Sequence, residues 1–141
     1  MTSRVFRLDP KEIMDTWITL APMFYKAISE HGSDAYTIQD LLKDFIDKES
    51  DCWVIKENGT IVAALATYIK HYKHFSAIIL DHFGGKEGYS HLWIPHLKQI
   101  ENYAKECGIK RSEIHGRKAW ERIFADDNEY QFRYITLIKE L

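Results

Sequence analysis

The chain has 141 residues, 45% of them hydrophobic, 28% charged and 13% aromatic, with a formal net charge of -2 at pH 7. This is the composition of one globular domain, without the basic excess of a nucleic-acid binder. No apolar run reaches the roughly 18 residues of a membrane span, and residues 1–6 lack the apolar core of a signal peptide, so the expected location is the cytoplasm. Cys52 and Cys107 match neither zinc nor disulfide spacing and read as buried thiols of a reducing compartment.

Residues 5–8 form the first strand candidate. Asp9 then caps a helix, with Pro10 at its first position and Glu12 at its third. Ile13, Trp17, Leu20 and Phe24 recur at helical spacing, and Pro22 predicts a kink or break. Thr37 caps a second helix over 37–48 that buries Leu41, Leu42, Phe45 and Ile46. Strands 52–56 and 61–70 flank a hairpin turn at Asn58-Gly59, where positive φ angles are accepted. A third strand follows over 75–83, with Ile78, Ile79 and Leu80 as a buried run, and then a glycine-rich loop from Gly84 to Gly88.

A long helix is expected over 90–107, regular from about Ile94 because Pro95 is tolerated only in a first turn. Trp93, Leu97, Ile100, Ala104 and Cys107 form its apolar stripe, and Gly108 stops it. Residues 109–115 read as a strand, 117–124 as a short helix and 130–141 as a final strand. Three consecutive strands argue for antiparallel pairing. The strand–helix–strand unit over 75–115 argues for a parallel pair with a right-handed crossover. The expected fold is α/β: a single domain over 1–141 with a mixed sheet of about six or seven strands and helices on both faces.

This order resembles the GNAT N-acetyltransferase superfamily, the acyl-CoA N-acyltransferase fold. The densest local likeness is Glu101-Asn102-Tyr103-Ala104-Lys105-Glu106-Cys107-Gly108-Ile109-Lys110, similar to the family's long helix and fifth strand. Gly116-Arg117-Lys118-Ala119-Trp120-Glu121-Arg122 resembles the fourth-helix segment of short GNAT-like proteins of phage type. The resemblance implies that the fourth and fifth strands part around Asp81, His82 and Phe83 to admit acetyl-coenzyme A. It implies that Gly84, Gly85, Lys86, Gly88, Tyr89 and Ser90 hold the diphosphate at a helix N-terminus. The loop departs from the family's Q/R-x-x-G-x-G/A spacing, and Trp120 stands where many members have a tyrosine that protonates the thiolate.

His82 and Asp81 end the third of the consecutive strands and are the candidate bases that would deprotonate an ammonium acceptor. Main-chain N–H groups near His82 and Phe83 would polarise the thioester. Arg111, Arg117, Lys118 and Arg122 form a basic face, and Arg117 is the candidate contact for the nucleotide end of coenzyme A. His71, His74, His82, His91 and His96 are close in sequence but lack metal-ligand spacing. The implied function is acetyl transfer from acetyl-coenzyme A to a primary amine on a small molecule or a protein. The alternative is a non-catalytic structural or interaction module, such as a virion component or a host-factor inhibitor. Segment 130–141 could also pair in a homodimer.

Overall fold

A computed structural model describes residues 3–30, 35–85, 90–116 and 129–141. In chain order these form β1 (Ser3–Leu8), α1 (Pro10–Asp15), α2 (Trp17–Glu30), α3 (Ile38–Ile46), β2 (Asp51–Glu57), β3 (Thr60–His71) and β4 (Ser76–Gly85). A 3-10 turn (Ser90–Leu92), α4 (Trp93–Glu106) and β5 (Arg111–Ile114) follow.

Local chemistry fixes the helix starts. Asp9 accepts from the Glu12 amide while the Glu12 carboxylate accepts from Asp9, and Thr37 and Asp40 make the same reciprocal pair at α3. Each such cap contributes about 1 kcal/mol. The break expected at Pro22 occurs instead at Thr16, whose hydroxyl donates to the Glu12 carbonyl at 2.7 Å and whose φ of -110° ends α1. Pro22 lies inside α2. The bond it cannot make is to the carbonyl of Ile18, a residue 88% exposed, on the side that water reaches.

The strands pair in the order β1-β2-β3-β4-β5, antiparallel except for the parallel β4–β5 pair. The hairpin between β2 and β3 turns at Asn58 (φ 52°) and Gly59 (φ 80°), as its sequence predicts. Side chains alternate across the sheet, so both faces carry a core. Cys52, Val54, Ala64 and Ala66 pack under α1, α2 and α3 with Leu20, Phe24 and Phe45. Trp53, Ile55, Leu65, Ile78 and Leu80 pack on the opposite face with Trp93, Leu97 and Ile100 of α4.

Four expectations need correction. Gly84 and Gly85 belong to β4, paired with Ala64 and Ala63, and are not loop residues. Ile46 is exposed at the end of α3, where the helix has already left the core. Cys107 is exposed as well: α4 ends at Glu106 and the chain turns at Gly108 (φ 81°), which takes Cys107 off the apolar stripe. Residues 130–141 form no strand. Tyr130 is anchored to Ser112 and Glu101, and Phe132, Tyr134, Ile135, Leu137 and Ile138 beyond it are exposed. Apolar alternation favours a strand, but a strand also requires a ladder partner, and this segment has none among the described residues. The sheet therefore has five strands among the described residues. The helix expected over 117–124 lies outside them.

Candidate active site

β4 has two neighbours along its first half and one along its second. The parallel ladder runs from Ala77↔Arg111 to Leu80↔Ile114. Its last main-chain bond is from the His115 amide to the Leu80 carbonyl, at 3.0 Å. Beyond it, β4 continues to Gly85 paired with β3 and with no other strand among the described residues. The β3–β4 register also shifts here: Thr67 pairs with Leu80 and Ala66 with His82, which leaves Asp81 as the extra residue of a β-bulge. A bulge bends its strand and increases the local twist, so β4 turns away from β5 at the residue where their pairing stops.

A cavity of about 680 Å³ lies beside this gap, on the face covered by α1, α2 and α3. Tyr36, Asp44, Glu49, Tyr68, Asp81 and His82 supply its polar lining, with Leu41 and Ala66 among its apolar walls. Among the described residues it has three carboxylates and no lysine or arginine. His82 is 15% exposed, and its Nε2 lies 3.1 Å from Asp81 Oδ2. Its ring stacks on Tyr36, with centroids 5.5 Å apart and planes 17° from parallel. Burial lowers the His82 pKa below the usual imidazole value and Asp81 opposes that shift, so the ring is neutral near pH 7 and can accept a proton. The Tyr36 hydroxyl donates to Asp44 in a short bond. Burial, then Asp44, push the Tyr36 pKa far above the ordinary phenol value, so Tyr36 is a donor at physiological pH.

A second polar group lies on β5. Glu113 accepts from the Tyr72 hydroxyl at 2.9 and 2.7 Å, from His115 Nε2 at 3.0 Å, and pairs with Arg111 Nε at 3.3 Å. Burial works to raise the Glu113 pKa, but the bonds from Tyr72 and His115 and the charge of Arg111 outweigh it and hold the carboxyl below its ordinary range. The bond to Glu113 pushes Tyr72 up to about 12.

The candidate residues therefore separate. Asp81 and His82 meet at the cavity wall. Phe83 turns to the opposite face, where its ring packs edge-on to Trp93 at 6.0 Å. Gly84 lets α2 cross close to β4, since a Cβ there would lie 2.6 Å from the Met23 carbonyl oxygen. Gly85 is similarly close to Val62 and Ala63 of β3. Ser90 opens the turn before α4. Lys86, Gly88, Tyr89 and Arg117 lie outside the described residues, as do Lys118, Trp120 and Arg122. Arg111 is engaged within the fold, with Glu113 and over the rings of Tyr72 and Phe75. No three metal-ligating side chains meet among the described residues.

The sequence reading missed Tyr36, Asp44, Glu49 and Tyr68 in the cavity, and Glu113 and His115 on β5. Only Glu113 and His115 carried a signal: two polar residues spaced by two around apolar Ile114, on a short strand.

No family model and no curated protein matches the chain. Solved structures do match it over nearly its whole length. An aminoglycoside acetyltransferase from an uncultured soil metagenomic sample, in complex with trehalose, has a TM-score of 0.70 at 14% identity, covering 99% of this chain and 96% of the other. A predicted acetyltransferase with acetyl-CoA from Clostridium acetobutylicum has a TM-score of 0.68 at 15% identity, with 99% and 96% covered. A ribosomal-protein-alanine N-acetyltransferase from Brucella melitensis biovar Abortus 2308 has a TM-score of 0.68 at 10% identity, with 99% of each chain covered. The fold is therefore that of the GNAT acetyltransferases.

Proposed function

We propose that this chain is an N-acetyltransferase that moves an acetyl group from acetyl-coenzyme A to a primary amine carrying positive charge. The observation that carries this reading is the end of the β4–β5 ladder at Leu80, beside a carboxylate-lined cavity whose wall holds His82. The neighbours support it in kind, since one was solved with acetyl-CoA and another is an aminoglycoside acetyltransferase.

The edge of β4 beyond Leu80, which has no β5 partner, fits an extended thioester arm, because a strand edge offers main-chain donors and acceptors to a chain laid along it. Acetyl-coenzyme A, when bound there, supplies an acetyl group activated as a thioester. The protein's own residues do the rest. Asp44, Glu49 and Asp81 attract and orient an ammonium group. His82 removes its proton and exposes the nitrogen lone pair. Asp81 stabilises the imidazolium formed and holds the ring, as does the stack on Tyr36. Main-chain N–H groups along β4 beyond Leu80 meet the carbonyl oxygen as negative charge develops on it. The same proposal includes the diphosphate contacts of residues 86–90 and Arg117, the likeness to short phage-type chains, and a cytoplasmic location.

Calorimetric titration with acetyl-coenzyme A, followed by a screen of mono- and polyamines for thiol release, tests this reading. Micromolar binding with turnover on cationic amines is expected. Absence of binding at millimolar ligand would sink it and leave an interaction module with an acetyltransferase shape.

A further inference from the structure

The mechanism above leaves one proton without a source: the sulfur departs as a thiolate and must be protonated. We propose that His115, held by Glu113 where β5 parts from β4, is the general acid for that step. The inference rests on the acetyltransferase reading.

Four observations converge on this ring. The first is position: the His115 amide makes the last main-chain bond between the two strands, at 3.0 Å to the Leu80 carbonyl, so its side chain leaves the backbone at the mouth of the gap. The second is face. Ile114 packs into the core under α4, so Glu113 and His115 on either side of it project to the opposite face, which carries Asp81 and His82. The third is access. The His115 side chain is 40% exposed; Nε2 is engaged by Glu113 Oε1 at 3.0 Å, while Nδ1 has no partner among the described residues. The fourth is support. Glu113 is only 11% exposed and is fixed by Tyr72 on both oxygens and by Arg111. A carboxylate immobilised in this way fixes the ring's orientation.

The proposal places the sulfur on the β5 side of the gap, with the thioester carbonyl oxygen on the β4 amides. The amine nitrogen bonds to the carbonyl carbon, the C–S electron pair moves to sulfur, and sulfur takes the proton from His115 Nδ1. Neutral imidazole remains, with its other proton on Nε2 facing Glu113. The two protons shed by the nitrogen, one before attack and one as the amide forms, pass through His82 to water. His115 is reprotonated from water at its exposed edge. Among the described residues, Glu113 bonds this ring directly, and Tyr72, Arg111 and Tyr68 act on Glu113 in turn.

Two measurements test this. In the wild-type chain, the His115 ring resonances are followed by NMR as coenzyme A is added at fixed pH; a shift at saturation is expected. In steady-state kinetics, His115→Gln should lower kcat about 100-fold with acetyl-coenzyme A, leave KM nearly unchanged and abolish the fall in rate at high pH. Glu113→Gln should lower kcat as well, because the ring loses the carboxylate that holds it. An unmoved His115 resonance at saturating coenzyme A overturns the inference, as does a His115→Gln enzyme that keeps the wild-type basic limb. Either result leaves the acetyltransferase reading intact if the wild type transfers acetyl. A wild-type chain that binds no coenzyme A fails both.

Discussion

The two halves of β4 do different work within ten residues. Ser76–Leu80 lies between β3 and β5, and its Ala77, Ile78, Ile79 and Leu80 are fully buried. Asp81–Gly85 keeps β3 but has no β5 partner, and four of its five side-chain positions face something specific: Asp81 and His82 the cavity, Phe83 the ring of Trp93, Gly84 the backbone of α2. The first half contributes stability through close packing. The second gives up its β5 ladder neighbour and is half-buried, and the bulge at Asp81 is the hinge between these roles. Substitutions on either side of the bulge should therefore separate stability from chemistry.

The largest separation is expected at Ile78 and His82. Ile78→Ala leaves a cavity in the α4-side core and should cost about 3 kcal/mol of unfolding free energy, read by urea denaturation. Any activity loss should follow only the fraction unfolded. His82→Gln should do the reverse: kcat/KM for a cationic amine falls about 100-fold or more, while the denaturation midpoint stays close to wild type. A His82→Gln enzyme with full activity would remove the second half of β4 from the chemistry.

Gly84 tests whether the second half also has a packing duty. An alanine there places its Cβ 2.6 Å from the Met23 carbonyl oxygen, closer than real contacts allow, so α2 or β4 must shift. Gly84→Ala should cost about 2 kcal/mol and misplace the adjacent His82, lowering activity as well. Coenzyme A affinity that falls with no loss of stability would instead return Gly84 to a ligand-binding role. A smaller effect is expected from Tyr36→Phe. It keeps the ring on His82 but leaves Asp44 without its donor, at a cost of about 1 kcal/mol. The acceptor KM should change more than kcat.

What the sequence made legible follows the range of the forces involved. The capping boxes at Asp9 and Thr37 and the turn at Asn58-Gly59 are local chemistry and read directly. The end of β4 was placed within two residues, because a buried apolar run that gives way to Asp81-His82 marks where a strand leaves the core. Gly84-Gly85 misled: adjacent glycines signal a turn, yet here the requirement comes from α2 crossing the strand, a contact between residues 61 positions apart in Met23 and Gly84. The stack of Tyr36 on His82 and the bond of Tyr72 to Glu113 join residues distant in sequence and left no periodic trace. Residues 130–141 carry strand propensity without a partner edge among the described residues, and propensity alone does not build a ladder.

The smallest expected effect is on the pH dependence of stability, and it compares His82 with a histidine outside the site. Burial lowers the pKa of both His82 and His96 below the imidazole value of 6.5, with Asp81 opposing the shift only at His82. His96 lies in α4; its Nε2 bonds to Ser3 Oγ at 3.0 Å, and its Nδ1 is buried without a partner among the described residues. For each ring the folded state binds fewer protons than the unfolded state at pH values between the lowered pKa and about 6.5. Stability from these groups is therefore complete above about pH 6.5 and declines as the pH falls toward the lowered values. Acidification should reduce the urea midpoint over that window, on top of the loss from carboxylates at lower pH. His96→Leu should flatten the decline without changing the pH–rate profile, since His96 is remote from the gap. His82→Gln should change the acidic limb of the rate, where the base becomes protonated. If His96→Leu altered that limb instead, the α4 side of the sheet would hold the base and the assignment of chemistry to the cavity face would fail.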